Sequence, residues 1–392
     1  MTDQYEMGII GLGTMGRNLL LNMADRGYSA IGLDRDETKV QILNGEPKTK
    51  GHFSATQELK EFVSLLKKPR SLLMLVPAGQ AVDQVLAEIL PLLDQGDLVI
   101  DAGNSHFSDT DRREKKLSEQ GFHFFGMGVS GGELGARNGP SMMPGGDREI
   151  YNRVRPLFEA IAAHVDGEPC VAYMGPRSAG HYVKMVHNGI EYALMQLIAE
   201  TYAFMKVTLG LTNEECQKVY EQWNQTELNS YLLEITSEIF KKKDETTKKT
   251  LIDLIRGVAK QNGTGMWTSQ SSMQLQVPTP TIDAAVTVRD LSTLEKSRKE
   301  ASLHLTGPDG THPGEQSLLD SEIAAKQFRS QLLEHLRESL YAGSVLAFSQ
   351  GMALLQKASS RHEYDLNLES IARIWRGGCI IRCALLEPIR TA

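Results

Sequence analysis

Long apolar runs are missing from this 392-residue chain. No segment approaches the roughly 18 residues that a membrane-spanning helix needs, so no membrane association is expected. The N-terminus MTDQYEMGII has neither the basic nor the extended apolar region of a secretory signal, and a cytoplasmic location is expected. Cysteine is scarce. Cys170, Cys216, Cys379 and Cys383 are spread thinly, no Cys/His group has zinc spacing, and reduced buried thiols are expected in place of a disulfide framework or a metal site. Only Cys379 and Cys383 have the spacing of one helix face. A basic excess is absent too. The formal charge of −7 argues against nucleic-acid binding, and an anionic ligand would need a local group of cations. The remaining composition, 41% hydrophobic and 23% charged, is that of a globular chain long enough for two or three domains.

What is present divides into two halves. Residues 1–178 read as alternating strands and helices. The strand candidates are Met7–Leu12, Ser29–Asp34, Leu72–Val76, Leu98–Ala102 and His123–Met127, short apolar runs separated by helical patterns. That alternation predicts βαβ units, a mostly parallel sheet and helices on both faces. Residues 179–392 read as an all-helical domain, with helical period or composition over 179–207, 212–222, 227–242, 247–260, 280–303, 317–357 and 366–385. The polar stretch Thr306–Glu315 and the run 241–249 read as loops.

The first strand candidate runs into Gly11-Leu12-Gly13-Thr14-Met15-Gly16 and then an amphipathic helix, and Asp34 ends the next strand. A G-x-G-x-x-G alone is weak. Between a strand and a helix, with an acidic residue 18 positions after the last glycine, it predicts a dinucleotide site in which glycine backbone approaches a pyrophosphate at a helix N-terminus. Asp34 suits the ribose hydroxyl of NAD, whereas Arg35 suits the 2′-phosphate of NADP, and charge leaves both open. The loops Val76-Pro77-Ala78-Gly79-Gln80 and Asp101-Ala102-Gly103-Asn104-Ser105 would lie at the carboxyl edge of the sheet, where ligands sit in open α/β folds. Asn104 is there either a ligand contact or a turn former.

The segment HYVKMVHNGIEY places Lys184, His187, Asn188 and Glu191 at offsets 0, 3, 4 and 7, one stripe of a helix whose other residues are largely apolar. An exposed ion pair is the plainer explanation of an isolated lysine and glutamate at this spacing. On an apolar helix, with Cα atoms roughly 10 Å apart, the two side chains can instead serve as base and acid on one small molecule. The segment GVSGGELGARNGPSMMPGG, residues 128–146, has too much glycine for a core element. Ser130, Gly131 and Gly132 there offer a hydroxyl and backbone N–H groups to a carboxylate, and a flexible loop is the alternative.

Together IIGLGTMGRNLLLNM, DAGNSHFSDT, GVSGGELGARNGPSMMPGG, KMVHNGIEY, WNQTELNSYLLEIT, NGTGMWTSQ and IWRGGCIIR resemble the 6-phosphogluconate dehydrogenases, decarboxylating enzymes of the pentose phosphate pathway, in order and over essentially the whole chain. The resemblance implies an N-terminal Rossmann domain, a large helical domain, a homodimer, 6-phosphogluconate as substrate and NADP as coenzyme. It implies Lys184 as general base and Glu191 as general acid, with His187 and Asn188 touching substrate and nicotinamide. Ser130, Gly131 and Gly132 would hold the carboxylate, Asn104 would lie between coenzyme and substrate, and Tyr192, Arg289 and Thr264 would meet the phosphate. Coenzyme contacts would come from Gly11, Gly13, Thr14, Met15, Gly16, Asp34, Arg35, Val76, Ala78 and Asn104.

Three departures from the family pattern alter those expectations. Asn262 stands where a phosphate-binding lysine is usual, and Met266 where another is common; Lys260 is two residues away from Asn262. Asp34 and Pro77 replace the asparagine and lysine usual in NADP-dependent members, which makes NAD a serious alternative. The sequence stops at Ala392, short of the family's tail that reaches the partner's substrate, so either a truncated form or a different substrate grip is expected, and Trp375, Ile380 and Ile381 are expected either to be exposed or to bury themselves differently. A dehydrogenase of an unphosphorylated hydroxy acid and a noncatalytic nucleotide-binding relative stay open as alternatives.

Overall fold

The computed structural model describes residues 4–305 and 322–392, with side chains from 327 onward in the second stretch. These residues form two compact units. The first contains residues up to Asn188 together with Met352–Arg382 and Leu386–Ala392, and the second contains Gly189–Gly351 with Cys383–Leu385.

The first unit is built on seven strands: β1 (Met7–Ile10), β2 (Ala30–Leu33), β3 (Phe53–Thr56), β4 (Ser71–Met74), β5 (Leu98–Asp101), β6 (His123–Ser130) and β7 (Ser141–Pro144). Their order in the sheet is β3-β2-β1-β4-β5-β6-β7. All neighbours are parallel except β6 and β7. The connecting helices are α1 (Thr14–Asp25), α2 (Glu37–Asn44), α3 (Leu59–Ser64), α4 (Gln80–Ile89), α5 (Phe107–Ser118), α6 (Gly132–Asn138) and α7 (Arg148–Ile161), and a short hairpin, β8 (His164–Val165) and β9 (Glu168–Pro169), follows. Successive strand residues face opposite sides. Ile9, Leu73 and Ile100 join α1 and α7 in one core, while Ile10, Leu72 and Val99 join α3, α4 and α5 in the other. Burial on both faces explains why these strands read as continuous apolar runs. The five expected strands are present, most of them a residue or more shorter at their ends, and His123–Met127 extends to Ser130.

Besides the short hairpin β8–β9, two strands of the main sheet escaped the sequence. β3 is an edge strand, FSAT, with little apolar signal. β7 lies in the segment 128–146, which is mostly regular and buried structure and not a loop. Its glycines serve close packing. After the hairpin, α8 (Ala179–Val207) begins against this part of the sheet. A Cβ on Gly180 would collide with the Met143 carbonyl and stand 2.7 Å from the Gly126 carbonyl, while one on Gly126 or Gly128 would collide with the side chains of His181 or Lys184.

The second unit is helical, as expected: α9 (Asn213–Trp223), α10 (Tyr231–Lys241), α11 (Thr264–Leu275), α12 (Pro280–Thr293) and α13 (Glu295–Ala301), followed by α14 (Glu322–His362), α15 (Leu368–Trp375) and α16 (Leu386–Thr391), of which α14 continues into the first unit and the last two belong to it. Tyr220, Trp223 and Phe240 centre its core. Several boundaries differ from expectation. Residues 247–260 form only a single 3-10 turn, Leu251–Asp253, because the apolar pattern there meets Gly257 within two turns. α11 was missed because TGMWTSQSSMQL is largely small and polar. Helix 366–385 ends at Trp375, before Gly377 and Gly378, the latter at φ +64°, so Cys379 and Cys383 do not share a helix. Lys243 and Thr250 form an isolated bridge across the run 241–249. The loop expected at Thr306–Glu315 lies outside the described residues.

Replacing Gly180 with alanine is expected to destabilise the protein by roughly 1–3 kcal/mol, because the obstructing atoms are backbone. Gly13→Ala, where a Cβ meets nothing within 4 Å, should leave the urea unfolding midpoint nearly unchanged. Equal midpoints for the two variants would contradict the close helix–sheet packing.

Candidate active site

The glycine loop between β1 and α1 has the geometry a pyrophosphate requires. Gly11 adopts φ +98°, and a Cβ on Gly16 would collide with the Gly11 carbonyl. Gly13 caps α1 without a side-chain bond, and no acidic residue stands in the first turn. The free N–H groups and the positive helix end therefore face an approach that only glycine leaves open. Thr14 and Met15 begin the helix. These features fit a dinucleotide.

At the end of β2, Asp34 is turned inward. Its Oδ2 accepts from the Leu12 N–H at 2.7 Å, its Oδ1 from the Asp36 N–H at 3.0 Å, and Lys39 Nζ lies 3.4 Å from both oxygens. Arg35 points outward and pairs with Glu88 at 2.5 Å. Asp34 thus braces the glycine loop, a role its position in the sequence did not reveal. Val76 and Ala78 follow β4, and Asn104 follows β5 on an exposed turn whose neighbours are fixed by Asp101: Gly103 N–H donates to it at 3.1 Å and Ser105 Oγ at 2.7 Å.

Ser130 closes β6, and Gly131 and Gly132 follow at φ +122° and +61°, a turn that a side chain would strain. The Gly378 carbonyl approaches Gly131 closely enough to exclude a Cβ (2.5 Å), and Ser141 N–H donates to the same carbonyl at 2.7 Å. The segment around Ile374–Ile381 therefore supports this turn. Trp375 and Ile381 are buried and Ile380 partly so. Of the two expectations for these residues, exposure fails and burial holds: Ile380 lies by Gly132 and Trp375 against His187.

Lys184, His187 and Asn188 are 5%, 0% and 8% exposed. They form one buried polar group with Ser130: His187 Nδ1 is 3.0 Å from Asn188 Oδ1 and 3.4 Å from Lys184 Nζ, and His187 Nε2 is 3.3 Å from Ser130 Oγ. Asn188 Oδ1 can only accept, so Nδ1 carries the hydrogen and Nε2 accepts from the serine. Burial, reinforced by the neighbouring Lys184, pushes His187 well below the usual histidine range. Its ring edge meets Trp375 with centroids 5.5 Å apart.

Glu191, half-buried, follows on the same helix. In the second unit Tyr192, Thr264 and Arg289 come together. The Arg289 guanidinium lies 3.8 Å above the Tyr192 ring and donates to the Lys260 carbonyl at 3.0 Å. Thr264 opens α11 after Gly263 at φ +101°, and Gly265 lets the Tyr192 ring lie against that helix. Lys260 contributes its carbonyl here, and both its side chain and Asn262 are exposed.

A neutral buried histidine gives a pH signature. The unfolded chain takes up a proton at position 187 below pH about 6.5, which the folded state refuses. Stability contributed by this group is therefore present above that pH and lost as pH falls, by at most about 1.4 kcal/mol per unit. The urea midpoint of His187→Asn should decline less between pH 7 and 5 than that of the unsubstituted protein. Identical slopes would mean that the ring is protonated in place.

Residues 6–175 match the family described as the NAD binding domain of 6-phosphogluconate dehydrogenase, and residues 180–392 match the 6-phosphogluconate dehydrogenase C-terminal domain. The chain is 46% identical over 390 residues to the NADP(+)-dependent, decarboxylating 6-phosphogluconate dehydrogenase of Bacillus subtilis strain 168, covering 100% of this chain and 80% of that protein. Identity is likewise 46% over 393 residues to the decarboxylating enzyme of Staphylococcus aureus strain N315, with the same coverage. Among solved structures, the 6-phosphogluconate dehydrogenase of Plasmodium falciparum superimposes with a TM-score of 0.89 at 38% identity, covering 99% of this chain and 81% of that one. Matches over both halves, at this identity, mean that the chain belongs to the 6-phosphogluconate dehydrogenase family.

Proposed function

We propose that the chain oxidises and decarboxylates 6-phosphogluconate to ribulose 5-phosphate and carbon dioxide, with NADP as coenzyme, Lys184 as general base and Glu191 as general acid. The observation that carries this reading is the buried Lys184–His187–Asn188–Ser130 group on the helix that also bears Glu191. The relatives support it: the Bacillus subtilis protein is NADP(+)-dependent and decarboxylating, and the Plasmodium falciparum structures include complexes with NADP+ and with 6-phosphogluconate.

The bound coenzyme supplies the acceptor for the hydride from carbon 3. Lys184 removes the proton of the 3-hydroxyl, for which the amine must be uncharged, a state its burial favours. The product is a β-keto acid. Its carbon 1–carbon 2 bond breaks to release carbon dioxide, and the electron pair moves toward the ketone, whose oxygen takes back the proton held by Lys184. Glu191 then protonates the carbon that becomes carbon 1 of ribulose 5-phosphate. Ser130 and the N–H groups of Gly131 and Gly132 hold the carboxylate, Asn104, His187 and Asn188 orient the sugar acid, and Tyr192, Thr264 and Arg289 take the phosphate. Arg35 is the cation for the coenzyme's 2′-phosphate. The Asp34 charge is partly compensated by the Leu12 N–H and Lys39, which lessens its repulsion of that phosphate.

The chain acts as a homodimer in the cytoplasm in this reading. Met266 and Met273 on α11 and Val288 and Leu291 on α12 are exposed and supply apolar surface for a partner copy. Among the described residues no helix is long and apolar enough to cross a membrane.

The direct test is formation of reduced coenzyme from 6-phosphogluconate, with gluconate and NAD as comparators. Lys184→Met should lower turnover by roughly 10²–10⁴-fold with coenzyme affinity almost unchanged; turnover near the unsubstituted level would remove the base assignment. Arg289→Ala should raise the KM for 6-phosphogluconate by about 10–100-fold, the equivalent of losing a charge-assisted contact of ~1.5–3 kcal/mol, and leave the KM for coenzyme alone. Light scattering should give twice the mass of one chain.

A further inference from the structure

Helix α5 carries a buried charge that the proposed chemistry does not use. Arg113 is 1% exposed. Its Nε donates to Asp83 Oδ1 at 2.9 Å, and its Nη2 donates to Asp83 Oδ2 at 3.0 Å and to the Gly79 carbonyl at 2.8 Å. The remaining nitrogen, Nη1, stands 3.6 Å from Asp101 Oδ2 and makes no hydrogen bond. Asp101 is fully buried and ties the turn around Asn104 through Gly103 and Ser105. One guanidinium thus grips the loop after β4 by the Gly79 carbonyl and the start of α4 by Asp83. Through Asp101 it also faces the loop after β5. One turn earlier on α5, Thr110 Oγ1 lies 2.7 Å from Nδ1 of His181, a residue 2% exposed, on α8 one turn before Lys184.

A guanidinium in this position is costly for stability alone, since an apolar side chain of similar volume fills such a site without desolvating a charge. What it uniquely supplies is a planar fork that fixes several oxygens at once. The loops it fixes are those bearing Val76, Ala78 and Asn104.

We infer that Arg113 is a positioning residue for the coenzyme: it sets the spacing of the loops after β4 and β5 so that both meet the same bound nucleotide. The inference rests on the proposed assignment of those loops to coenzyme. Arg113 touches neither coenzyme nor substrate in this view and acts through Gly79, Asp83 and Asp101.

The test is NADPH affinity, measured by fluorescence titration of the full chain without substrate, together with steady-state kinetics. For Arg113→Met we expect the NADPH Kd and the KM for NADP to rise at least tenfold, while the KM for 6-phosphogluconate changes less than threefold. Arg113→Lys, which keeps the charge and loses the fork, should recover part of the affinity, and Asp83→Asn should weaken binding severalfold. Should Arg113→Met not fold, the lysine and Asp83 variants decide. Folded variants that melt earlier yet bind NADPH within twofold of the unsubstituted protein would overturn the inference and leave Arg113 a purely structural residue. Gly16→Val serves as reference, because it fills the pyrophosphate turn. If it abolishes NADPH binding while the Arg113 variants bind normally, only the inference falls. If it too leaves affinity unchanged, the coenzyme site itself is misassigned and both fall.

Discussion

Everything proposed for this chain depends on how near α8 comes to the backbone of β6 and β7. The helix starts where Gly126, Gly128 and Gly145 face Gly180, and added Cβ atoms would meet carbonyls, backbone nitrogens or the first carbons of Lys184. Removing those side chains brings the helix against the carboxyl end of the sheet, where open α/β folds gather their ligands. Lys184 leaves the helix directly over Gly128. Its amine therefore sits beside His187, whose other ring nitrogen meets Ser130, in a group from which water is largely excluded. Low exposure lowers the cost of an uncharged amine relative to an ammonium, so the packing constraint and the proposed proton chemistry have one origin.

Charge is distributed around that group with restraint. In the proposed reading a chain of net charge −7 receives ligands rich in phosphate, and it does so locally. The first turn of α1 carries no acid, Asp34 has its oxygens engaged by two N–H groups and a lysine, and Arg289 is held flat on Tyr192 by a cation–π contact. Preordering a guanidinium in this way reduces the side-chain entropy lost on binding an anion. Arg113 is the opposite case, a cation wholly enclosed among carboxylates, where its geometry matters and its charge is compensated.

Much of this was legible in the sequence where a residue type has a single physical use. The glycines of Gly11–Gly16 between an apolar strand and an amphipathic helix announced a nucleotide turn, and the spacing of Lys184, His187, Asn188 and Glu191 announced a polar stripe. Legibility failed where the same residue type has two uses. Glycine in residues 128–146 suggested a loop, whereas Gly128 and Gly145 let α8 lie on buried strands and Gly131 admits the Gly378 carbonyl. The apolar pattern of 247–260 suggested a helix and yields one turn, while α11, with few large apolar residues, suggested none. Position alone marked Asp34 as a ribose ligand. Its bond to the Leu12 N–H requires the fold, as do the Ser130–His187 contact across 57 residues and the approach of Gly378 to the glycine turn.

The two ends of the stripe differ in a way that suits their proposed tasks. An acid–base pair working in sequence needs a base that is uncharged before reaction and an acid that carries its proton until late in the cycle. Lys184 is enclosed, 5% exposed, and the nearest titratable ring is itself held neutral by burial, so an enclosed amine and an enclosed neutral ring stand side by side. Glu191 stands two turns on, at a position that is only half-buried, where a carboxyl can regain a proton from solvent after each turnover. A helix delivers this difference without further machinery. Its fixed rise carries one residue out of the glycine-lined contact with the sheet while keeping both on the same face, so separation along the axis becomes separation in solvent access. Exchanging the two residue types would bury the acid and wet the amine. The wetted amine would then hold its charge and could not take up a proton, which makes the place of the lysine, at the end of the stripe nearest the sheet, a consequence of where the helix meets it.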